Sequence, residues 1–188
     1  AQSPEARTRI ARETLEIYAP IAQRLGMNLM KAELQDLGFR AMHPWRHAVL
    51  ARRIRTQPVV RREALAKIEA QLAQRLSKEG FQCRLFISVK APCSIYTKLR
   101  AEGKTFAQVS DVFGFRLVVP TQPECYLALG VLHQLYKPVP GRFKDFIAIP
   151  KANGYQSLHT TLVSPLGTPV EFQIRTEPMH AVAESGIA

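Results

Sequence analysis

The stretch LHTTLVSPLGTPVEFQIR, residues 158–175, decides the fold. Two runs of apolar and β-branched residues, 158–163 and 170–175, flank the turn sequence SPLGTP, and this pattern predicts a β-hairpin. In the second strand, apolar side chains alternate with three polar ones that share a face: Glu171, Gln173 and Arg175. A carboxylate, an amide and a guanidinium on one face suit either the lining of a site or an ordinary exposed strand face.

Outward from the hairpin, the chain changes character at Gly80. After Gly80, apolar alternation predicts strands and amphipathic spacing predicts helices. These elements are a strand at 81–89, a helix at 94–102, a buried strand at 113–119, a helix from Pro123 to Leu135, a short strand at 146–149 and a helix at 177–187. Before Gly80, the spacing predicts helices at 8–25, 29–42 and 45–79, the last broken near Gln57-Pro58. We therefore predict an α+β fold, a mixed sheet of about five strands packed with helices at residues 81–188, behind a helical arm at residues 1–80.

The composition excludes several classes of protein. With 46% hydrophobic and 22% charged residues in 188, the chain is an ordinary globular sequence and not a disordered one. It has no run of 18 apolar residues, so no membrane-spanning helix is expected, and its first residues lack the apolar core of a signal peptide. Three scattered cysteines form no zinc pattern and suit a reduced, cytoplasmic protein.

The net charge of +11 indicates an anionic partner: nucleic acid, nucleotide phosphates or an acidic protein. Residues 1–90 carry 17 basic and 8 acidic side chains, whereas residues 91–188 carry 9 and 7. Most of the excess therefore lies in the helical arm, which shows no motif that carries chemistry and is expected to face solvent or another domain.

The segment GRFKDFIAIPKANGYQSLHTT, residues 141–161, is rich in groups that bind phosphates and bases. Tyr155 is a candidate stacking platform, which a tight turn at Asn153-Gly154 would project outward. The cations and hydrogen-bonding side chains around it are Arg142, Lys144, Lys151, Asn153, Gln156 and His159. The alternative is a polar loop around a half-buried tyrosine.

Two further groups suit phosphoryl chemistry. Asp111 precedes the buried strand and, with Glu171, would make a two-carboxylate site for Mg²⁺, although a helix cap is the simpler role for Asp111 alone. Lys90, Ser94 and Lys98 flank the start of the helix at 94–102, where they would form either an anion site or a solvated face. The sequence lacks the GxxxxGK[ST], HExxH and GxSxG motifs, and its five histidines form no metal set.

These segments together resemble the RelA/SpoT family of alarmone synthetases. GRFKDFIAIPKANGYQSLHTT is similar to the guanosine-binding segment of that family, and PVEFQIRT with MHAVAESGIA is similar to its catalytic strand and following helix. SIYTKLR and FAQVSDVFGFRLVV resemble its ATP-side helix and metal-bearing strand. ETLEIYAPIAQRLGMNLMKAELQDLGFRAMHP resembles the stretch that links its hydrolase and synthetase domains. The resemblance covers roughly residues 10–188.

The resemblance implies a nucleotidyltransferase-like enzyme that moves the β,γ-diphosphate of ATP to the ribose 3′-OH of GDP or GTP, giving ppGpp or pppGpp and AMP. It implies that Asp111 and Glu171 are catalytic and hold Mg²⁺ or Mn²⁺, with Glu171 activating the 3′-OH. It implies that the guanosine nucleotide is bound by Tyr155, Arg142, Lys144, Lys151, Asn153 and His159. It implies that ATP is bound by Lys90, Ser94, Lys98 and Arg116.

Two comparisons within the family sharpen this expectation. The sequence Arg142-Phe143-Lys144-Asp145 has the RxKD form of long, bifunctional members, but the His-Asp motif of their hydrolase domain is missing. The resemblance therefore implies the synthetase domain of a longer protein, with a linked hydrolase domain and with the ribosome or another regulator as partner.

The sequence departs from the family at two positions, where Ser88 and Thr97 replace arginines, the first of which stacks on adenine in the family. This departure favours a second hypothesis, a degenerate domain that binds guanine nucleotide and regulates a linked hydrolase with little catalysis. A third hypothesis, a nucleic-acid-binding domain, rests on the basic arm.

Overall fold

The fold is described from a computed structural model, which describes residues 3–56, 62–103, 105–106, 112–165 and 167–185. Among these residues, none of the helices has both the length and the apolar content needed to cross a membrane.

The first part of the chain is helical, as predicted. Helix α1 (Pro4–Glu13) continues through a π-helical turn (Thr14–Tyr18) into α2 (Ala19–Arg24), and α3 (Asn28–Met42), α4 (Pro44–Arg55) and α5 (Arg62–Lys78) follow. Proline begins α1 and α4, as its fixed φ favours. The predicted break near Gln57-Pro58 lies outside the described residues.

The second part of the chain forms the predicted mixed sheet of five strands. The strands are β1 (Arg84–Val89), β2 (Phe113–Val119), β3 (Lys144–Asp145), β4 (Leu158–Val163) and β5 (Pro169–Thr176), and the helices between or after them are α6 (Pro92–Glu102), α7 (Gln122–Leu135) and α8 (Glu177–Ser185). The order across the sheet is β1-β2-β5-β4-β3, with β2 and β5 parallel and the other neighbours antiparallel. The predicted β4–β5 hairpin and the α+β class are confirmed.

The short strand predicted at 146–149 is wrong, because Asp145 turns the chain there. Its Oδ1 accepts hydrogen bonds from the backbone N–H groups of Ile147 (2.9 Å) and Ala148 (2.8 Å), which closes a turn instead of extending a strand. The strand lies one step earlier, at Lys144–Asp145, and pairs with β4. Ile147 is buried as a turn residue, which explains its apolar character.

The two faces of the sheet differ in polarity. The apolar face, which includes Phe115, Phe172 and Ile174, is buried against α7, and α5 packs on α7 in the same core. The other face carries Glu171 and Gln173, and α8 packs over part of it. The buried cluster that contains this apolar face also contains residues of the helical arm: Phe39, Leu50, Ile54, Ile68, Leu72 and Leu76. The hydrophobic core therefore runs across residue 80, where the sequence predicts a domain boundary.

Candidate active site

Glu171 lies at the centre of the polar face of the sheet. It stands between Gly114 of β2 and Thr161 of β4, and its side chain is 21% exposed. Its carboxylate contacts His159 Nδ1 at 3.2 Å and Lys90 Nζ at 3.6 Å. The alternation in β5 therefore places Glu171 among polar side chains on a partly covered face and not on an exposed strand face.

Gly114 allows β2 to approach Glu171 closely. A Cβ added at Gly114 would lie 2.7 Å from the backbone oxygen of Glu171, which is closer than real Cβ atoms come to an oxygen. Glycine, the only residue without a Cβ, therefore fits at this position. Its small size lets β2 and β5 pair in parallel beside the Glu171 carboxylate.

A chain of hydrogen bonds runs from Tyr155 through His159 to Glu171. The Tyr155 hydroxyl lies 2.7 Å from His159 Nε2. A carboxylate only accepts, so His159 Nδ1 donates to Glu171. In that tautomer Nε2 is an acceptor, and the Tyr155 hydroxyl donates to it. Burial also raises the pKa of Tyr155. This chain of hydrogen bonds orients the Glu171 carboxylate.

Tyr155 was predicted to project outward, but it is half-buried. The predicted turn is present: the Gly154 N–H donates to the Lys151 carbonyl at 2.9 Å, with a φ of +72° at Gly154. This turn folds Lys151 back over the ring, so that Nζ lies 4.8 Å from the Tyr155 centroid and 4.6 Å from that of Phe146. The pKa of Lys151 is lowered by burial first and then by Lys144 and Lys31.

Two clefts open on this face and meet at Lys151. The cleft beside β3, of about 390 Å³, is here called the β3 cleft; its lining includes Lys98, Arg142, Lys144, Lys151, His159 and Glu171. The cleft under the start of α3, of about 550 Å³, is called the α3 cleft; its lining includes Lys31, Lys90, Arg116, Lys151, Tyr155 and Arg175. Asn153 also lines the α3 cleft.

The two clefts bring most of the predicted site residues together. They do not separate the residues predicted to bind ATP from those predicted to bind the guanosine nucleotide. Lys98, assigned to ATP, lies with Arg142 and His159, whereas Lys90 and Arg116 lie with Tyr155. Ser94 is exposed on the first turn of α6 and is not part of either lining. Asp111 lies outside the described residues. Gln156 donates to the Ile147 carbonyl at 3.2 Å and so supports the segment from behind.

The floor of the α3 cleft holds a charge cluster that the sequence analysis missed. Arg175 is 1% exposed, and its guanidinium shares Glu184 Oε1 with that of Arg116, at 3.0 and 2.9 Å. Burial lowers the pKa of Arg175, and Glu184 partly offsets this effect. The alternation in β5 did place Arg175 beside Glu171, but nothing in the sequence pairs it with a carboxylate on α8.

Ser88 and Thr97, where the family has arginines, direct their hydroxyls at the backbone. Ser88 Oγ donates to the Gly114 carbonyl at 3.3 Å, and Thr97 Oγ1 donates to the Cys93 carbonyl at 3.0 Å. A guanidinium at either position would reach much farther, so these two positions contribute no long cation to the clefts.

A divalent cation fits the donor chemistry at Glu171 in part. Mg²⁺ is usually held by one or two carboxylates together with substrate phosphates and water, and Glu171 supplies one carboxylate in the cation-lined β3 cleft. Among the described residues, no group of three His, Cys, Asp or Glu side chains is arranged to hold a metal ion. The site therefore suits a metal that is held partly by its substrate.

A mixed sheet whose polar face places cations around one carboxylate has the chemistry to bind phosphorylated ligands. The chain belongs to the RelA/SpoT family: its residues 88–188 match the region found in RelA / SpoT proteins. The resemblance that the motifs indicated is thereby confirmed.

Relatives of the chain include a protein named as a synthase and hydrolase and a protein named as a pyrophosphokinase. The bifunctional (p)ppGpp synthase/hydrolase SpoT of Escherichia coli (strain K12) is 48% identical over 98% of this chain and 26% of that protein. The GTP pyrophosphokinase of Myxococcus xanthus is 46% identical over 99% of this chain and 25% of that protein. The chain thus spans about a quarter of the length of these relatives.

Solved structures of similar fold include the small alarmone synthetase 2 of Bacillus subtilis. It is 26% identical, with a TM-score of 0.55, over 66% of this chain and 73% of that one. The small alarmone synthetase 1 of Bacillus subtilis, solved with its product pppGpp, is 22% identical, with a TM-score of 0.54, over 65% and 71% of the two chains. These likenesses agree with the fold that the resemblance implied.

Proposed function

We propose that the chain is a (p)ppGpp synthetase domain, which transfers the β,γ-diphosphate of ATP to the ribose 3′-OH of GDP or GTP and releases AMP. The observation that carries the proposal is the Glu171 carboxylate, which lies in the cation-lined β3 cleft and is oriented by His159 and by Lys90 of the neighbouring α3 cleft. The relatives named GTP pyrophosphokinase and the neighbour bound to pppGpp support the same reaction.

The reaction needs a base, an in-line approach of two nucleotides and cations that absorb phosphoryl charge. Glu171 accepts the proton of the 3′-OH while the 3′-oxygen attacks the β-phosphorus of ATP. The bond between the β-phosphorus and the oxygen that bridges it to the α-phosphorus breaks, and that oxygen leaves with AMP. Lys98, Arg142 and Lys144 neutralise the negative charge that spreads over the transferred group. Tyr155 and His159 keep the Glu171 carboxylate turned toward the incoming hydroxyl.

The division of the remaining contacts follows the family and not the clefts, since Lys90 and Arg116 line one cleft, Lys98 lines the other and Ser94 lines neither. The guanosine nucleotide is bound by Tyr155, Arg142, Lys144, Lys151, Asn153 and His159, and ATP by Lys90, Ser94, Lys98 and Arg116. Glu171 would hold Mg²⁺, or Mn²⁺, together with Asp111. That ion would supply Lewis acidity at the transferred phosphates. In a longer protein the domain would work beside a linked hydrolase, as the name of the Escherichia coli relative suggests.

The test is a synthesis assay with labelled ATP, Mg²⁺ and either GDP or GTP, in wild-type protein and in Glu171→Gln. We expect Glu171→Gln to lower product formation by at least about 100-fold, because the amide keeps the size of the side chain but cannot accept the proton. Glu69→Gln on α5, which removes an exposed carboxylate that lines neither cleft, is the matched control and should keep full activity. Equal product from Glu171→Gln and wild type would rule out this role for the carboxylate.

A second candidate function is a degenerate domain that binds guanine nucleotide and regulates a linked hydrolase. The observation in its favour is that Ser88 and Thr97 bond to the backbone where the family has arginines. Isothermal titration calorimetry separates the two candidates: this one predicts GDP binding without measurable ATP binding, and the synthetase predicts both.

A further inference from the structure

Helix α6 begins without a cap from its own sequence. Ala91, at the cap position, has no side-chain oxygen, and the first turn of the helix has no acidic side chain. Helices usually supply a capping oxygen from the residue at this position, because their first N–H groups have no acceptor inside the helix. The start of α6 therefore needs an acceptor from elsewhere in the fold.

Asp36 of α3 supplies that acceptor, from 57 positions earlier in the chain. Its Oδ1 accepts a hydrogen bond from the Cys93 N–H at 3.2 Å, and a carboxylate also suits the positive end of a helix. Its Oδ2 lies 3.0 Å from Nε2 of His47 on α4, which donates because a carboxylate only accepts. One side chain thus joins α3, α4 and the start of α6.

This bond fixes a segment that carries two cations of the site. Lys90 directly precedes the cap position, and its Nζ lies 3.6 Å from the Glu171 carboxylate. Lys98, on the second turn of α6, lines the β3 cleft together with Glu171. The residue at position 96 points roughly 200° around the helix from Lys98, and there Tyr96 stacks on Phe39 of α3 at 4.7 Å. The arm therefore holds one side of α6 while the other side presents Lys98 to the cleft.

We propose that Asp36 is a positioning residue, whose bond to the start of α6 holds Lys98 against the phosphate groups of a nucleotide in the β3 cleft. The proposal rests on the proposed function in that this nucleotide is one of the two substrates of the reaction. Asp36 is not part of either cleft lining, so it acts through α6. A misplacement of about 1 Å at a group that contacts the substrate is enough to lower activity about 100-fold.

The test is a double-mutant cycle between Asp36 and Lys98, measured by calorimetric titration of Mg²⁺-ATP and, separately, of GDP. We expect Lys98→Gln to weaken the binding of one of the two nucleotides about tenfold, the usual effect of losing one charge-assisted contact. Asp36→Ala should weaken the same nucleotide about threefold to tenfold, because the first turn of α6 loses its cap. The double variant should bind no more weakly than Lys98→Gln alone, since Asp36 acts through Lys98.

A second variant tests the same contact without removing Asp36. His47→Phe keeps a ring against Phe39 but cannot donate to Asp36, so the carboxylate is free to turn away from α6. It should weaken the same nucleotide as Lys98→Gln, again without adding to the effect of that variant. Asp36→Asn keeps an Oδ1 that can accept from the Cys93 N–H and should retain most of the affinity.

The control is Gln71→Ala, which removes a different side-chain bond between the arm and the rest of the chain. The Tyr136 hydroxyl of α7 donates to Gln71 Oε1 at 3.1 Å, and neither residue lines either of the two clefts. Gln71→Ala should bind both nucleotides as wild type does. The same loss of affinity in this variant as in Asp36→Ala would overturn the proposal, because the effect would then be one of general stability.

Additive losses in the cycle, unchanged affinity in Asp36→Ala or in Lys98→Gln, or a wild-type chain that binds neither nucleotide would also overturn the proposal. If Asp36→Ala does not fold, the cycle between His47→Phe and Lys98→Gln decides by the same criteria. The outcome is separable from the synthesis assay. A chain that makes no product but shows a non-additive cycle refutes the proposed function and supports the positioning role of Asp36.

Discussion

At the scale of single residues, the site depends on one chain of hydrogen bonds. It runs from the Tyr155 hydroxyl through His159 to Glu171, whose carboxylate accepts and so fixes the direction. The sequence supplied these three residues as candidates from motif and resemblance. It could not supply their order, because a hydrogen bond between Tyr155 and Glu171 by way of a histidine depends on how β4 and β5 pair.

His180 provides a pH-dependent test at the same scale. It stacks on Phe86 at 5.2 Å, and its pKa is lowered by burial first and then by Arg175, while Glu184 opposes the shift. A histidine with a lowered folded pKa binds fewer protons in the native than in the unfolded state. Its contribution to stability is therefore complete above about pH 6.5 and is lost as the pH falls below that value.

We predict that His180→Phe, which retains the stacking but cannot be protonated, flattens the loss of stability on acidification. The wild-type free energy of unfolding should fall more steeply than that of the variant below about pH 6.5, by at most about 1.4 kcal/mol per pH unit. Urea unfolding followed by circular dichroism between pH 5 and pH 8, on the order of six points, would measure both slopes. Parallel pH profiles for the two proteins would contradict the assignment.

At the scale of elements, periodicity predicted most of the strands and helices and failed where a side chain redirected the backbone. The strand at 113–119 was predicted because its apolar run is almost wholly buried, and the hairpin because buried and partly exposed side chains alternate along its strands. The strand at 146–149 was wrong because the two bonds to Asp145 Oδ1 are invisible in a hydrophobic pattern. The sequence also did not predict the parallel pairing of β2 with β5, because α7, β3 and β4 lie between these two strands in the chain.

Two glycines in these elements, Gly114 in β2 and Gly130 in α7, can be compared by the same substitution to alanine. We predict that Gly114→Ala destabilises the protein by about 2 kcal/mol or more and lowers synthesis, because the new Cβ would push on the Glu171 backbone. Gly130→Ala meets no atom within 4 Å and should stabilise α7 by about 0.5–1 kcal/mol. Chemical unfolding of both variants measures the difference, and a Gly114→Ala protein as stable as wild type would show that β2 and β5 can separate without cost.

At the scale of the whole molecule, the helical arm packs against the part of the chain that contains the sheet. The Asp36 side chain of α3 accepts a bond from the Cys93 N–H at the start of α6, at 3.2 Å, and Phe39 stacks on Tyr96 of that helix at 4.7 Å. From its charge, the arm was expected to face solvent or another domain. These contacts could not be predicted, because contacts between residues more than 50 positions apart leave no periodic pattern in the sequence. Part of the arm does present exposed apolar side chains, such as Ile17 and Leu25.

The boundary at residue 80 stays a prediction, and the core suggests how to test it. Ile68, Leu72 and Leu76 of α5 are at most 2% exposed and belong to the cluster that buries the sheet. Removing one such side chain costs about 3 kcal/mol, and a whole domain is stable by only about 5–15 kcal/mol. We therefore expect a fragment of residues 81–188 to lack a cooperative thermal transition, while the 188-residue chain unfolds in one. Calorimetry on both would measure this, and a cooperative transition in the fragment would establish the boundary and contradict the shared core.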